Sequence, residues 1–434
     1  MIIELITWSE LNEAQRNALL QRPAVAQDSG IRELVAEIIA QVRSRGDAAL
    51  RELTRKYDHA DLKEFKVSAE EVAAAAGQLS DQQLAAIDLA IRNVGRFHEQ
   101  QHPSPILVET MPGVSCERVS HAIDAVGLYV PAGTAPLPSA AIMLAVPATI
   151  AGCPTKILCT PPRRDGAADP AILVAATRAG VSDIYKIGGA QAIAAMAYGT
   201  GSVPKVCKVF GPGNAWVTSA KAQVSGDPAG AAIDMPAGPS EVLVIGDERA
   251  SAEFVASDLL SQAEHGVDSQ VVLLTTSPDL AAKVVAELDR QLANLSRARI
   301  AAEALKHSRI IIVPDVDTAV AVSNRYAPEH LILQVENPRN LLPLLRNAGS
   351  IFVGPWTPES VGDYCSGTNH VLPTYGFART YSGLGVDQFM RQVTVQELTR
   401  EGLDSLGDAV ISLAGLEGLD AHAAAVSIRL RSGS

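Results

Sequence analysis

The sequence has 434 residues, which is too many for one hydrophobic core, so we expect two or more domains. Hydrophobic residues make up 47% of the chain and aromatic residues 4%, a composition typical of a folded α/β protein that excludes a disordered or fibrous one. The formal net charge of −12 argues against partners such as nucleic acid or an anionic membrane, although it is compatible with a local pocket for phosphate.

Residues 1–100 are predicted to be helical, because apolar residues recur with helical spacing over 31–46 and 82–101. His98 and His102, near the end of this region, are expected at the surface. The chain starts without a basic segment followed by an apolar core, and its longest apolar run, 140–153, is too short to span a bilayer. The sequence therefore predicts a cytoplasmic protein without membrane contact.

From about residue 120 the pattern changes to short apolar runs that alternate with helical segments. The run AVGLYVP, 125–131, ends at a proline and is predicted to be a buried strand. The alternation restarts at EVLVIGD, 241–247, and such alternation predicts right-handed crossovers and parallel sheets. The fold class is therefore predicted to be α/β with two doubly wound parallel-sheet units, followed from about 381 by a small helical piece.

Polar, glycine-rich loops follow several predicted strands, and in open parallel sheets ligands bind beyond the carboxyl ends of the strands. IGGAQ at 187–191 and GPGN at 211–214 would let backbone amides approach a phosphate or carbonyl. Trp216 stands where the third glycine of GxGxxG would be, so the dinucleotide fingerprint is absent. These residues leave open whether the loops bind a nicotinamide cofactor or are ordinary strand-to-helix turns.

The segment EFVASDLLSQAEHG, 253–266, is predicted to be a helix that ends at Gly266. Gln262 and His265 are three residues apart and would leave the same face of this helix. An imidazole beside an amide oxygen suits a borderline divalent ion such as zinc, while Asp258 lies on nearly the same face and competes for the role. The alternative is that both side chains are simply solvated near a helix end.

Acidic residues and histidines further along the chain could complete a site. Glu329 precedes His330 at a predicted helix-to-strand boundary, where they could act as a water activator and a base or could be a surface pair. Asp363 can supply a hard oxygen ligand and His422 a second imidazole, which with the helical pair makes a ligand set compatible with zinc. These spacings are too long to be a motif, so they do not establish the geometry.

The five cysteines are scattered and form no CxxC pair, which predicts reduced, mostly buried thiols. Cys365, in GDYCSG, is the one cysteine beside a polar, glycine-rich loop. A thiol nucleophile is one chemical route to aldehyde oxidation, so Cys365 is a candidate nucleophile. The alternative is a structural thiol without a role in chemistry.

Six long segments of the chain form a distinctive set: GLYVPAGTAPLPS, KVFGPGNAWVTSAKAQVSG, DMPAGPSEVLVI, ASDLLSQAEHG, SNRYAPEHLIL and ESVGDYCSGTNHVLPTYG. These segments resemble the histidinol dehydrogenase family, and the weaker EGLDAH end at 417–422 also fits. The resemblance implies a zinc enzyme with one Zn²⁺ per subunit, commonly a homodimer with shared active sites. Such an enzyme oxidises L-histidinol to L-histidine through L-histidinaldehyde with two NAD+, in the last two steps of histidine biosynthesis.

The resemblance also implies a domain organisation with two Rossmann-like units. The first, 24–130 plus 240–380, would carry the metal and acid–base residues, and the second would be 131–239. Small helical extensions would occupy 1–23 and 381–434, the latter contributing to the partner subunit's site. The family's Rossmann-like units hold NAD atypically, so the missing GxGxxG is no obstacle to this interpretation.

Site roles can be assigned from the resemblance position by position, and every position holds the expected residue type. Glu417 and His422 would come from the partner subunit. Cys365 departs from the family, which more often has a small residue there, and the acid–base mechanism implied makes a nucleophilic thiol less favoured. The implied zinc ligands are Gln262, His265, Asp363 and His422; the acid–base pair is Glu329 and His330; the further substrate contacts are Ser240, His370 and Glu417; and the cofactor contacts are Tyr129, Gln191 and Asn214.

Two other classes of function compete with the dehydrogenase. In a zinc hydrolase, Glu329 would activate a metal-bound water, and turnover would need no nicotinamide. A catalytically silent metal-binding or assembly protein with the same fold would bind zinc without redox activity. Histidinol-dependent NADH formation separates the three.

Overall fold

The computed structural model describes residues 3–22, 29–132, 135–235 and 238–432. Parts of two motifs quoted above, residues 133–134 and 236–237, and the predicted boundary between 23 and 24 lie outside these ranges. Among the described residues, no helix is both long and apolar enough to cross a membrane.

The strands within the described ranges form three sheets, two of them parallel. Central strands such as Glu241–Gly246, Gln270–Thr275 and His330–Gln334 are buried along their whole length, as expected for a sheet covered on both faces. In chain order the strands are β1 (Glu4–Thr7), β2 (Ile106–Met111), β3 (Val114–Ala122), β4 (Ala125–Tyr129), β5 (Thr155–Thr160), β6 (Asp183–Lys186), β7 (Lys208–Phe210), β8 (Ala232–Ile233), β9 (Glu241–Gly246), β10 (Gln270–Thr275), β11 (Arg309–Ile312), β12 (His330–Gln334), β13 (Ser350–Val353) and β14 (Met390–Leu398).

Many of the helices begin after a polar residue whose side chain accepts a hydrogen bond from a first-turn N–H. Ser251 caps the helix Ala252–Ala263 in this way, and Asp315 caps the helix Val316–Tyr326. The helices are α1 (Glu13–Leu19), α2 (Ser29–Arg45), α3 (Asp47–Tyr57), α4 (Ala69–Ala75), α5 (Asp81–His98), α6 (Pro138–Ile150), α7 (Pro170–Arg178), α8 (Gly189–Tyr198), α9 (Ala215–Ser225), α10 (Ala252–Ala263), α11 (Pro278–Leu292), α12 (Ala298–Leu305), α13 (Val316–Tyr326), α14 (Glu359–Tyr364), α15 (Arg400–Leu416) and α16 (Asp420–Arg431).

The larger parallel sheet has six strands in the order β1-β11-β10-β9-β12-β13. The strand order reverses between β9 and β12, so this sheet is doubly wound. Its edge strand β1 comes from the N-terminus, where only helices were predicted. That part of the prediction is wrong. β1 has only four residues, which is too short for a recognisable apolar pattern, and its partner β11 lies far away in the sequence.

The second parallel sheet has five strands in the order β6-β5-β4-β7-β8, with its reversal between β4 and β7. Two Rossmann-like parallel sheets were predicted, and this expectation is confirmed. β4 pairs with β5 and β7, so residues 125–129 belong to this sheet rather than to the one after residue 240. Helices α2 and α3 pack on the same sheet, with Val35 and Leu50 in one hydrophobic cluster with Ile157. The domain boundaries themselves remain a prediction.

A third sheet, of three antiparallel strands, joins the C-terminal part of the chain to residues 106–122. Its order is β14-β3-β2, and β14 leads into the helical hairpin α15–α16. The tail was predicted to be helical, and the strand β14 within it was missed. β2 is exposed along its whole length and β14 along most of its own, so neither has the apolar alternation that marks a half-buried strand.

The two parallel sheets present opposite edges to the candidate functional residues. In the five-stranded sheet these residues follow β4, β6 and β7, at the carboxyl edge as predicted. In the six-stranded sheet the prediction is wrong: β12 begins at His330, and α10 runs back from the carboxyl edge so that Gln262 lies near the amino edge.

Candidate functional site

Three side chains with metal-ligand chemistry meet at the C-terminal end of α10. The ligand atoms of His265, Glu359 and Asp363 all lie within 4.8 Å of one another. Gln262, one turn before His265, is completely buried. Its Oε1 atom has no hydrogen-bond partner among the described residues. Gln262, His265 and Asp363 therefore come together as the resemblance implies, with an amide oxygen that needs a partner.

Glu359 was not singled out from the sequence. It is the first residue of α14 and is four residues before Asp363, so both carboxyl groups project from one face of that helix. This spacing, in ESVGD, is the signal that could have identified it. Its Oε2 atom lies 3.5 Å from the Ser261 hydroxyl, which places it beside the Gln262 turn of α10.

Asp258 does not belong to this cluster, although it was considered as a competitor for Gln262 and His265. Its Oδ2 atom accepts a hydrogen bond of 2.9 Å from Gln334 Nε2 at the far end of β12. Burial raises the pKa of Asp258 to about 7, against the opposing effect of that hydrogen bond. Asp258 lies one helical turn before Gln262 on α10, and this displacement directs its carboxyl group to the opposite end of β12.

Glu329 and His330 lie at the start of β12 and are buried, so they are not a surface pair. Their side chains approach at 3.5 Å, between Glu329 Oε2 and His330 Nδ1. The main chain of Glu241 contacts both: its N–H donates to Glu329 Oε2 at 3.0 Å, and its carbonyl oxygen lies 3.1 Å from His330 Nδ1. The carbonyl can only accept, so Nδ1 carries the proton when the ring is neutral and Nε2 is the basic nitrogen.

The metal-ligand cluster and the acid–base pair share one electrostatic environment. His330 Nε2 lies 3.6 Å from Asp363 Oδ1. Burial lowers the pKa of His330, but the nearby carboxylates of Glu329 and Asp363 outweigh it and raise that pKa well above the usual value. Burial raises the pKa of Asp363, but the nearby imidazoles of His330 and His370 outweigh it and lower that pKa to about 2.

His370 lies on the other side of Asp363, with 3.9 Å between its Nδ1 and Asp363 Oδ1. Burial lowers its pKa, so a neutral ring is favoured. The preceding residue, Asn369, donates to the carbonyl oxygen of Met143 in α6 at 2.7 Å and lies 3.4 Å from His98 Nε2. His98 is fully buried, so its predicted surface position is wrong: the helix α5 uses it to support the loop that carries His370.

The residues implied for cofactor contact lie at the carboxyl edge of the five-stranded sheet. Tyr129 ends β4, and its hydroxyl accepts a hydrogen bond of 3.0 Å from Gly189 N in the loop after β6. A Cβ on Gly211, in the loop after β7, would lie 2.2 Å from the carbonyl oxygen of Tyr129, so only glycine permits that close approach. Tyr129 therefore holds both glycine-rich loops at the point where the strand order reverses.

Gln191 and Asn214 occupy the first turns of the helices that follow these loops. Gln191 is buried, with its Nε2 atom 3.4 Å from Asp58 Oδ2. Burial raises the pKa of Asp58 to about 6, and the sequence pattern did not single this residue out. Asn214 is exposed and caps α9 by accepting from Trp216 N and Val217 N. The cap accounts for Asn214 structurally and is compatible with a ligand at the same helix end.

Comparison with known proteins decides between the interpretations. A family model described as histidinol dehydrogenase matches residues 20–430. The histidinol dehydrogenase of Vibrio parahaemolyticus is 57% identical over 425 residues, 98% of each chain, and that of Colwellia psychrerythraea is 54% identical over 434 residues, 100% of each chain. The crystal structure of histidinol dehydrogenase from Elizabethkingia anophelis has a TM-score of 0.95 and 44% identity, covering 99% of this chain and 98% of that one.

The chain belongs to the histidinol dehydrogenase family. The resemblance inferred from the sequence motifs is thereby confirmed. Histidinol dehydrogenases are NAD-dependent oxidoreductases of histidine biosynthesis, so the protein is an enzyme of that class. Neither a silent assembly protein nor a zinc hydrolase fits this membership.

Two positions implied for the histidinol dehydrogenase site lie apart from it within the chain. Glu417 ends α15 and His422 lies in the first turn of α16, and both side chains are exposed. Within the described residues, the one group of three or more His, Cys, Asp or Glu side chains able to hold a metal is His265, Glu359 and Asp363. His422 is not brought to the cluster by its own subunit.

Cys365 is partly buried against the hydrophobic cluster around α6. Its carbonyl oxygen accepts a hydrogen bond of 2.8 Å from Asn93 Nδ2 in α5. These contacts anchor the loop after α14, and the backbone contact does not depend on the thiol. Cys365 therefore has a structural explanation.

Replacing Cys365 with alanine is expected to leave histidinol oxidation nearly unchanged, because the alanine keeps the backbone contact and removes only the thiol. Steady-state kinetics with histidinol and NAD+ check this expectation. A small loss of thermal stability is expected from the reduced packing. A large loss of kcat in a protein that remains folded would restore the thiol as a nucleophile.

Proposed function

We propose that the protein is an L-histidinol dehydrogenase that converts L-histidinol to L-histidine through L-histidinaldehyde, using two NAD+ and one zinc ion per subunit. The observation that carries the proposal is the joining of two chemical groups in one buried site. Metal-ligand side chains on α10 and α14 lie directly beside the acid–base pair at the start of β12. We further propose that the enzyme works in the cytoplasm, in the last two steps of histidine biosynthesis.

The residues of the cluster fit a divalent cation. Glu359 and Asp363 place two carboxyl groups beside the imidazole of His265, whose pKa is lowered by desolvation, and the unpartnered Gln262 Oε1 adds a neutral oxygen. Burial raises the pKa of Glu359 to about 8, with the charge on His330 opposing it, so this carboxyl lacks a sufficient cationic partner within the protein. A bound Zn²⁺ would supply that charge and accept ligands from Gln262, His265 and Asp363.

When bound, zinc would bind the imidazole and amino nitrogens of histidinol, and NAD+ would accept hydride from the carbinol carbon of histidinol. The first step for the protein is removal of the hydroxyl proton. His330 Nε2 is suited to this because the ring is held through Nδ1 by the Glu241 carbonyl and Nε2 faces the metal-ligand cluster. Loss of this proton and of hydride yields the aldehyde.

The second oxidation requires water at the aldehyde carbon. Glu329 is suited to take a proton from that water, because its carboxyl group is buried and oriented by the Glu241 N–H. Addition of water with loss of that proton gives the anionic aldehyde hydrate, from which a second hydride leaves for the second NAD+. His330, after releasing its first proton to solvent, takes the remaining hydroxyl proton. The product is the carboxylate of histidine, and the closed site retains the reactive aldehyde between the steps.

The C-terminal hairpin supports the proposed homodimer with shared active sites. Leu413 and Leu416 are 62% and 82% exposed on α15, a degree of exposure unusual for adjacent leucines on one helix face. Ile428 of α16 and Leu107 of β2 are exposed as well. A second subunit covering this surface would bring its own Glu417 and His422 towards the cluster, where His422 would complete the zinc ligands.

Purified enzyme is expected to form two NADH for each histidinol consumed, measured by absorbance together with amino-acid analysis of the product. Chelation of zinc should abolish NADH formation, and added Zn²⁺ should restore it. One NADH per histidinol with free aldehyde would contradict the two-step proposal. Zinc-dependent hydrolysis without NADH, or zinc binding without turnover, would instead favour one of the two alternative classes.

A further inference from the structure

We propose that Arg22 and Glu241 form a positioning pair that holds the acid–base residues Glu329 and His330 in their reactive geometry. Neither residue reaches the metal-ligand cluster, and they act through the main chain. The inference rests on the proposed function, because it assumes that Glu329 and His330 perform the proton transfers. It adds a role for the N-terminal segment, in which the sequence suggested no functional residue.

Glu241 is the residue that contacts both members of the acid–base pair. Its N–H and its carbonyl oxygen hold Glu329 and His330, respectively, through one main-chain unit at the start of β9. The strand register places His330 opposite Val242, so the preceding residues, Glu329 and Glu241, also lie side by side. A displacement or rotation of the Glu241 backbone would therefore move the carboxyl group and the imidazole together.

The side chain of Glu241 is 2% exposed and is surrounded by donors. Arg22 binds it with two nitrogens, Nε at 2.5 Å and Nη2 at 3.2 Å. Tyr375 N donates to its Oε1 at 2.9 Å, and the Tyr326 hydroxyl lies 2.8 Å from its Oε2 and 2.8 Å from Gln270 Oε1, so these two oxygens share one proton. A buried carboxylate with these donors has one preferred orientation, and this orientation fixes the backbone to which it is attached.

Arg22 also holds the chain that leads into the acid–base pair. Its Nη2 donates to the carbonyl oxygens of Tyr326 and Ala327 at 2.9 and 3.3 Å, and its guanidinium stacks on the Tyr326 ring at 3.9 Å. Ala327, two residues before Glu329, has a left-handed backbone with φ of 56°, which needs support in a residue other than glycine. Arg22 thus links the start of β9 to the turn before β12.

The first test replaces Arg22 with lysine. Lysine keeps the positive charge but lacks the planar guanidinium that hydrogen-bonds the carboxylate and the two carbonyl oxygens together. We expect kcat for histidinol oxidation to fall about 10- to 100-fold, as for displaced catalytic groups, while KM for histidinol changes little. Zinc content should also remain at one per subunit. Glu241→Gln, which keeps the shape but weakens the Arg22 contact, should lower kcat in the same direction.

Arg43 provides a matched control. It pairs with Asp227 at 2.7 Å and stacks on the Tyr198 ring at 4.4 Å, and the Tyr198 hydroxyl also donates to Asp227. This arrangement resembles that of Arg22, Glu241 and Tyr326 but lies between α2 and α8, away from the acid–base pair. Arg43→Lys is expected to leave kcat unchanged.

A double-mutant cycle separates positioning from general stability. If Arg22 acts through the pair, Arg22→Lys should cause almost no further loss of kcat in a background that lacks both members, His330→Ala with Glu329→Gln. An equal loss in both backgrounds, or unchanged kcat in a folded Arg22→Lys protein, would overturn the inference. Should Arg22→Lys unfold at the assay temperature, Tyr326→Phe removes one donor to Glu241 and is expected to lower kcat with the same dependence on the acid–base pair.

The failure of this inference can be distinguished from failure of the proposed function. If His330→Ala slows turnover strongly but Arg22→Lys and Tyr326→Phe do not, the acid–base assignment stands and the positioning pair is rejected. If His330→Ala itself leaves turnover unchanged, the proposed mechanism fails first. Thermal melting of each variant, measured beside the kinetics, shows whether the folded fraction accounts for any loss.

Discussion

Replacing His330 with alanine is expected to slow histidinol oxidation by about 10²- to 10⁴-fold, the range usual for general acid–base residues. The imidazole is buried at the start of β12, its Nδ1 is held by the Glu241 carbonyl, and its Nε2 faces the metal-ligand cluster. Alanine at this position removes the proton acceptor for both oxidation steps. Steady-state and single-turnover kinetics with NAD+ measure the loss.

Zinc content is the control for this variant, because His330 lies beside the proposed ligands without being one of them. Metal analysis should find the same zinc per subunit in His330→Ala and in the wild-type enzyme. Glu329→Gln is the companion variant and should slow conversion of the aldehyde more than oxidation of the alcohol. Unchanged turnover in His330→Ala would remove this residue from the mechanism.

Mixed dimers are expected to recover activity that neither parent possesses. His330→Ala and His422→Ala homodimers should each be nearly inactive, the second because it lacks one proposed zinc ligand. In a dimer with one subunit of each kind, one site would contain both defects and the other none. Tandem purification through two different tags should therefore give about half the wild-type activity, as expected for a two-fold symmetric dimer with shared sites.

The matched control is a mixed dimer of His330→Ala and Glu329→Gln. Both residues belong to the same strand start, so each site in that dimer carries one defect and no activity should return. Recovery in this control, or none with His422→Ala, would reject the shared site. Failure of the two tagged chains to purify together would reject the homodimer itself.

The central features of the fold could be predicted from the alternation of apolar runs and helical segments. That pattern is strong where strands are buried on both faces, as in β9, β10 and β12. It is weak where a strand is short or exposed, which is why β1, β2 and β14 were missed. β1 and β14 pair with strands hundreds of positions away, which no local pattern records, whereas β2 pairs with the adjacent β3 and was missed because it is exposed along its whole length.

Most of the candidate site could be assigned because long motifs resemble a known family. Spacing alone could relate only neighbours on one helix, such as Gln262 and His265, and in ESVGD it was overlooked for Glu359. The burial of His98 and the contacts of Arg22 depend on side chains that meet across the fold, with 271 and 219 residues of sequence between the partners. Such contacts follow from tertiary packing and have no sequence period.

In the proposed assignment, the cofactor contacts lie at the carboxyl edge of the five-stranded sheet, and Glu329 and His330 lie at the amino edge of the six-stranded sheet. The loops after β4, β6 and β7 are therefore separate in sequence from the strand starts that hold Glu329 and His330. An attempt to change nucleotide preference should concentrate its library on those three loops, and substrate redesign should target the starts of β9 and β12 with the ends of α10 and α14. The two libraries can be screened separately and then combined.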